Sequence, residues 1–218
     1  MPNRLLGRLK EHCSVFFVAL VLTLLVSAPL IVFPAVAKDS YQGINISQFG
    51  TLDEHFYLSR AKEVVEGGDL AGPLIRGETY DQDTFFNYSE IILLAPIKLL
   101  GLGDEINIVT VYNFYNFVGV FILVLLIYFL MWQLSQDKLL SIISAVFVIG
   151  GYNIAYGKFF YEDLNFYGRA MYPYISSLGF FGYLNFLVKS SNFPSIKYKV
   201  YSGLVFGLLF YISFYVWT

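Results

Sequence analysis

Ser14-VFFVALVLTLLVSAPLIVFPA-Val36 is an apolar run interrupted only by Pro29 and Pro34. About 20 apolar residues suffice to cross a bilayer. The run is longer than the core of a secretory signal, roughly 7–15 residues, so it is read as an uncleaved anchor. Ala35-Val-Ala37 resembles a cleavage site, and a signal peptide is the competing assignment. Four more apolar segments follow, at about 106–132, 138–157, 170–188 and 198–218. The chain is 57% hydrophobic, 19% aromatic and only 14% charged, with mean hydropathy +0.61. This composition predicts an all-α, multi-pass transmembrane helix bundle of about five spans, forming a single domain over 1–218. The apolar finish at Trp217-Thr218 predicts a fragment of a longer protein.

Net charge is −2, which gives nucleic acid no basic field to bind. Cys13 is the single cysteine, so no internal disulfide forms; it is read as apolar filler, with lipidation as the alternative. No ionisable residue lies deep in a span, which argues against a proton pump or ion-coupled transporter.

Lys and Arg set the orientation, because cytoplasmic loops hold the excess. Arg4, Arg8 and Lys10 place the N-terminus inside; Lys138 and the trio Lys189, Lys197 and Lys199 then fall on the same side. Segments 37–105 and 158–169 become outer loops of an integral protein of the cell membrane. Loop 37–105 holds Asp39, Asp53, Glu54, Glu63, Glu66, Asp69, Glu78, Asp81, Asp83, Glu90, Asp104 and Glu105, twelve of the chain's 16 carboxylates. A solvated acidic face would account for the charge, but not for its concentration in one loop.

Within that loop, Leu52, Phe56, Leu58, Ala61, Val64 and Val65 recur at helical spacing, ending at Gly67-Gly68. Thr51-x-x-Glu54 fits a capping box, so a helix is predicted over about 52–66. Asp53, Tyr57 and Arg60 share one face of it at i, i+4 and i+7, the face left for chemistry. Asp53 serves as a general base or, structurally, complements the helix dipole; Glu54 is catalytic or only a cap. His55 adjoins both acids and is a minor candidate for zinc or manganese. Residues 89–101 are too short to span and too apolar to float. They predict an interfacial helix on the outer leaflet, or a lid packed over the bundle.

In the second outer loop, Lys158 and Arg169 are candidates to hold a phosphate. Glu162 and Asp163 are the stronger site candidates in this loop, because interfacial decoration favours cations over acids. Tyr, Phe and Arg at headgroup depth are equally accounted for as interfacial decoration. Asn113 and Asn116 are read as hydrogen-bonding between helices, and Gly203-x-x-x-Gly207 as a small-residue packing motif.

Asp53-Glu54-x-x-Tyr57 just after a first span, the stretch around Leu93-Leu94-Ala-Pro96, and the aromatic-rich spans that follow resemble the GT-C superfamily. These are integral-membrane glycosyltransferases that use polyprenyl-phosphate sugars, among them the protein O-mannosyltransferases and the aminoarabinose transferases of lipid A. The resemblance covers 1–218, the N-terminal membrane portion of such enzymes, and position carries more of it than the short motif. It implies transfer of a sugar from a polyprenyl-phosphate donor to a lipid, glycan or protein acceptor on the outer face. Asp53 would be the base, joined by Glu54, with Tyr57, Arg60, Lys158 and Arg169 binding substrate. Some members bind a divalent metal with acids from both outer loops, which makes Glu162 and Asp163 the candidate metal ligands and a divalent metal the candidate cofactor. Two other functions fit the composition: a non-enzymatic flippase or assembly subunit, and a surface-polysaccharide ligase or polymerase.

Overall fold

The apolar runs fold as helices because a membrane-length segment satisfies its own backbone hydrogen bonds only in that form. The computed structural model describes residues 12–38, 53–66, 89–103, 106–158, 166–168, 173–193 and 195–212. All regular structure among them is helical: α1 (Cys13–Ala37), α2 (Asp53–Glu66), α3 (Ser89–Leu99), α4 (Ile108–Ser135), α5 (Lys138–Ala155), a 3₁₀ turn (Phe166–Gly168), α6 (Tyr174–Asn192) and α7 (Ile196–Ile212). Three of the helices, α1, α4 and α5, are long and apolar enough to cross a membrane. α1 continues through Pro29 and Pro34, the two residues that interrupt its apolar run in the sequence.

α4 is the central helix. It packs against α1, α5 and α6, and α7 packs on α6. Its buried residues Val120, Leu123, Val124 and Ile127 line a core shared with Val15, Ala19, Leu22 and Val26 of α1 and Ala145 and Ile149 of α5. The chain reverses sharply between α4 and α5. Gln136 takes a left-handed conformation (φ 55°), and its N–H bonds to Trp132 O. The Asp137 side chain accepts from Leu140 N and so caps α5.

Polar side chains tie the helices at this end. Gln133 Nε2 donates to Asn185 Oδ1 at 2.7 Å, and Asn185 Nδ2 donates to Leu126 O at 2.9 Å. His12, just before α1, meets the edges of Tyr128, Phe129 and Trp132, and its Nδ1 lies 2.7 Å from the Tyr128 hydroxyl. The helix-to-helix amide pair is therefore Gln133–Asn185. Asn116, read from sequence as hydrogen-bonding between helices, donates to Tyr167 O in the 3₁₀ turn at 2.7 Å.

Close approach also falls elsewhere than the sequence motif. A Cβ at Gly203 or Gly207 would meet nothing within 4 Å, whereas one at Gly119 would lie 2.6 Å from the ring of Tyr174. Tyr174 is itself buried, so the ring must shift to admit a methyl group there. Gly119→Ala is expected to cost about 1–3 kcal/mol, read as a lower unfolding midpoint in detergent; Gly203→Ala, facing open space, should leave the midpoint unchanged.

Candidate functional site

α2 and α3 lie at the end of the bundle where α1 ends and α4 begins, and they pack chiefly on each other. α2 opens with Asp53, Glu54 and His55 in its first turn. Their side chains, and Thr51 of the proposed cap, lie outside the described residues. From Tyr57 onward the helix has one inward stripe: Tyr57 is half-buried against the core, and Arg60, Ala61 and Val64 are buried. The stripe that begins with Asp53 in register is thus packed against the bundle over its later turns. It is not left open, as the spacing alone suggested.

Arg60 can lie inside because Glu90 meets it. Arg60 is 3% exposed and Glu90 fully buried. Arg60 Nε donates to Glu90 Oε1 at 3.1 Å, and Ser89 Oγ donates to Oε2 at 3.1 Å. Burial pushes the Glu90 carboxyl above its ordinary range, and the Arg60 guanidinium opposes that shift without cancelling it. Sequence reasoning placed Arg60 at a substrate and counted Glu90 only among the loop's acids. The usable signal was a lone carboxylate at the head of the apolar stretch Ser89–Leu99, in a helix that buries Glu90, Leu94 and Ile97 on one face.

The opposite face of α3 stays apolar and exposed at Ile92 and Leu99. Tyr115 of α4 donates its hydroxyl to Leu93 O at 3.1 Å and holds α3 down. Between α3, α4 and α6 runs an apolar groove of about 300 Å³, lined by Ile92, Leu93, Ile122, Ile175 and Leu178, with the buried Ser89 also in its wall. Gly119 and Gly179 lie along the same groove. A larger cleft of about 500 Å³ opens between Ser59, Lys62 and Glu66 of α2 and Gly103, Ile106, Asn107 and Val109. Lys62 and Glu66 there form an exposed i, i+4 pair at 3.6 Å.

In the second loop, Lys158 is exposed, with Nζ 5.5 Å from the centre of the Tyr152 ring. Glu162, Asp163 and Arg169 lie outside the described residues. The 3₁₀ turn between those acids and Arg169 packs on α1, α4 and α5, anchored by the Asn116 bond. Burial raises the Tyr167 hydroxyl above its usual range, with a hydrogen bond from Ser177 working against it. Among the described residues no three His, Cys, Asp or Glu side chains group as metal ligands. The structure therefore brings together Arg60, Glu90 and Ser89, packs Tyr57 on the core one turn before Arg60, and places Lys158 on an exposed turn.

No family model matches this chain, and neither a curated protein nor a solved structure is similar to it.

Proposed function

We propose that this chain is the membrane portion of a glycosyltransferase of the GT-C kind, moving a sugar from a polyprenyl-phosphate donor to an acceptor on the outer face of the cell membrane. In this reading α6 and α7 are the fourth and fifth spans, and the N-terminus is cytoplasmic. The observation that carries it is the neighbourhood of α2 and α3: a helix opening with Asp53, clamped by a buried ion pair to α3, which also walls an apolar groove. The groove takes the isoprenoid chain. The donor sugar is already activated, since phosphate is its leaving group. The acceptor oxygen bonds to the anomeric carbon, the bond from that carbon to the phosphate oxygen breaks, and the acceptor's proton passes to the Asp53 carboxylate. Lys158 and Arg169 supply the cations for the departing phosphate. Glu162 and Asp163 would hold a divalent ion if the reaction uses one.

A second reading is favoured by the groove alone, which needs no acid: a non-enzymatic subunit that holds a lipid-linked sugar. The two separate in membranes carrying the full-length gene product and labelled polyprenyl-phosphate sugars. Donor consumption with label appearing on an acceptor is the expected result. Saturable donor binding without consumption selects the second reading, and neither binding nor consumption sinks both.

A further inference from the structure

We infer that Arg60 and Glu90 are positioning residues: their ion pair sets where α2 lies on α3, and with it where Asp53 stands. This deepens the glycosyltransferase reading and rests on it for the role of Asp53, while the placement of α2 stands on geometry alone.

α2 and α3 also share small and aliphatic side chains, with Ala61, Val64, Leu94 and Ile97 in one buried cluster. Such packing is non-directional and tolerates sliding or rotation. A guanidinium meeting a carboxylate has a fixed geometry. Here Nε engages one carboxylate oxygen and Ser89 engages the other, so the carboxyl cannot turn freely. The pair is a poor choice for stability alone, since replacing buried ion pairs by apolar side chains of similar size is often neutral or stabilising. Directionality is what it adds. α2 is only 14 residues long and mostly polar, and among the described residues it also meets α4 and, at Val65, Gly103. The pair adds a buried, directional constraint on its register. Asp53 stands seven residues before Arg60, about 10.5 Å along the axis, so a modest rotation at Arg60 displaces the first turn. A misplacement of about 1 Å in a reacting group is enough to slow chemistry about 100-fold.

The test uses the full-length protein in lipid nanodiscs and two variants, the double Arg60→Met/Glu90→Leu and the single Arg60→Lys. Lys keeps the charge and loses the planar fork. Each is followed by amide hydrogen exchange over 53–66, with α4 as internal reference, and by kcat and KM for the polyprenyl-phosphate sugar. The expected result is an unfolding midpoint close to wild type, at least 10-fold faster exchange over 53–66 with α4 unchanged, and a kcat lowered about 100-fold at constant KM. Wild-type exchange over 53–66 in the double variant overturns the inference, as does faster exchange with an unchanged kcat. Should the double variant not fold, Arg60→Lys carries the same two criteria. Should the wild-type protein transfer no sugar, the catalytic reading falls by itself and the exchange arm still decides whether the pair places α2.

Discussion

Asp53→Asn is expected to lower kcat for sugar transfer by about 10²- to 10⁴-fold, the range that a positioned proton acceptor contributes. The amide is nearly the same size as the carboxylate and cannot take the acceptor's proton, so KM for the donor should move little. Asp53 opens α2, where a negative charge also complements the helix dipole. Losing that charge weakens the helix start by about 0.3–1 kcal/mol, too little to account for a loss of 100-fold through unfolding. Glu54→Gln is the control, because Gln still serves a capping box. If Glu54 only caps, that variant keeps most of the transfer; a loss matching that of Asp53→Asn would assign Glu54 to the chemistry. Full transfer by Asp53→Asn would remove Asp53 as the base.

Glu90→Ala is expected to destabilise the protein by about 3–5 kcal/mol, because it strands the buried guanidinium of Arg60 without its counter-charge. For a chain of this size that corresponds to a fall of roughly 10 °C in the unfolding midpoint. Glu90→Gln should cost less, since the amide oxygen still accepts from Arg60 Nε. The two substitutions also differ in pH response. Burial holds the Glu90 carboxyl above the ordinary value of 4.5, so the folded state favours its protonated form. That contribution is fully present below the ordinary value and is lost as pH rises through the raised one. Wild-type stability should thus contain a component that declines on raising the pH from about 4.5, and Glu90→Gln should lack it. Midpoints measured across that window would decide; a decline of equal size in both proteins would show that Glu90 is not its source.

Helices were legible wherever hydrophobic period and end signals agreed. The segment read as 138–157 is Lys138–Ala155, and the helix read as 52–66 is Asp53–Glu66. Agreement was poorer at α6, read as 170–188 and found at Tyr174–Asn192. Hydropathy follows greasiness, and the helix continues through Ser190, Ser191 and Asn192, which are not greasy. Of the candidate site, spacing put Tyr57 and Arg60 on one helix face and marked the apolar stretch containing Leu93 and Leu94 as a helix, and α2 and α3 carry them so; the role given to Asp53 belongs to the proposal. That Arg60 answers to Glu90 could not be read, because the two lie 30 residues apart and meet only through the way α2 settles on α3. The glycines behaved alike: spacing favoured Gly203 and Gly207, yet close approach falls at Gly119, where another helix happens to bring a tyrosine ring.

What the sequence determined by itself was local and periodic: helical segments, apolar runs of membrane length, read as about five where three of the described helices are long and apolar enough to cross a membrane, and an acidic segment after the first. Those properties depend on neighbours within a turn or two of helix, and a linear pattern contains them. What only the tertiary structure decided was which polar groups are buried together. An arginine at the same spacing would snorkel to water on a solvated face. It becomes an interior ion pair here because α3 presents a carboxylate and a hydroxyl where Arg60 arrives. The cost of burying a charge is set by what surrounds it in space, and that is a property of the fold.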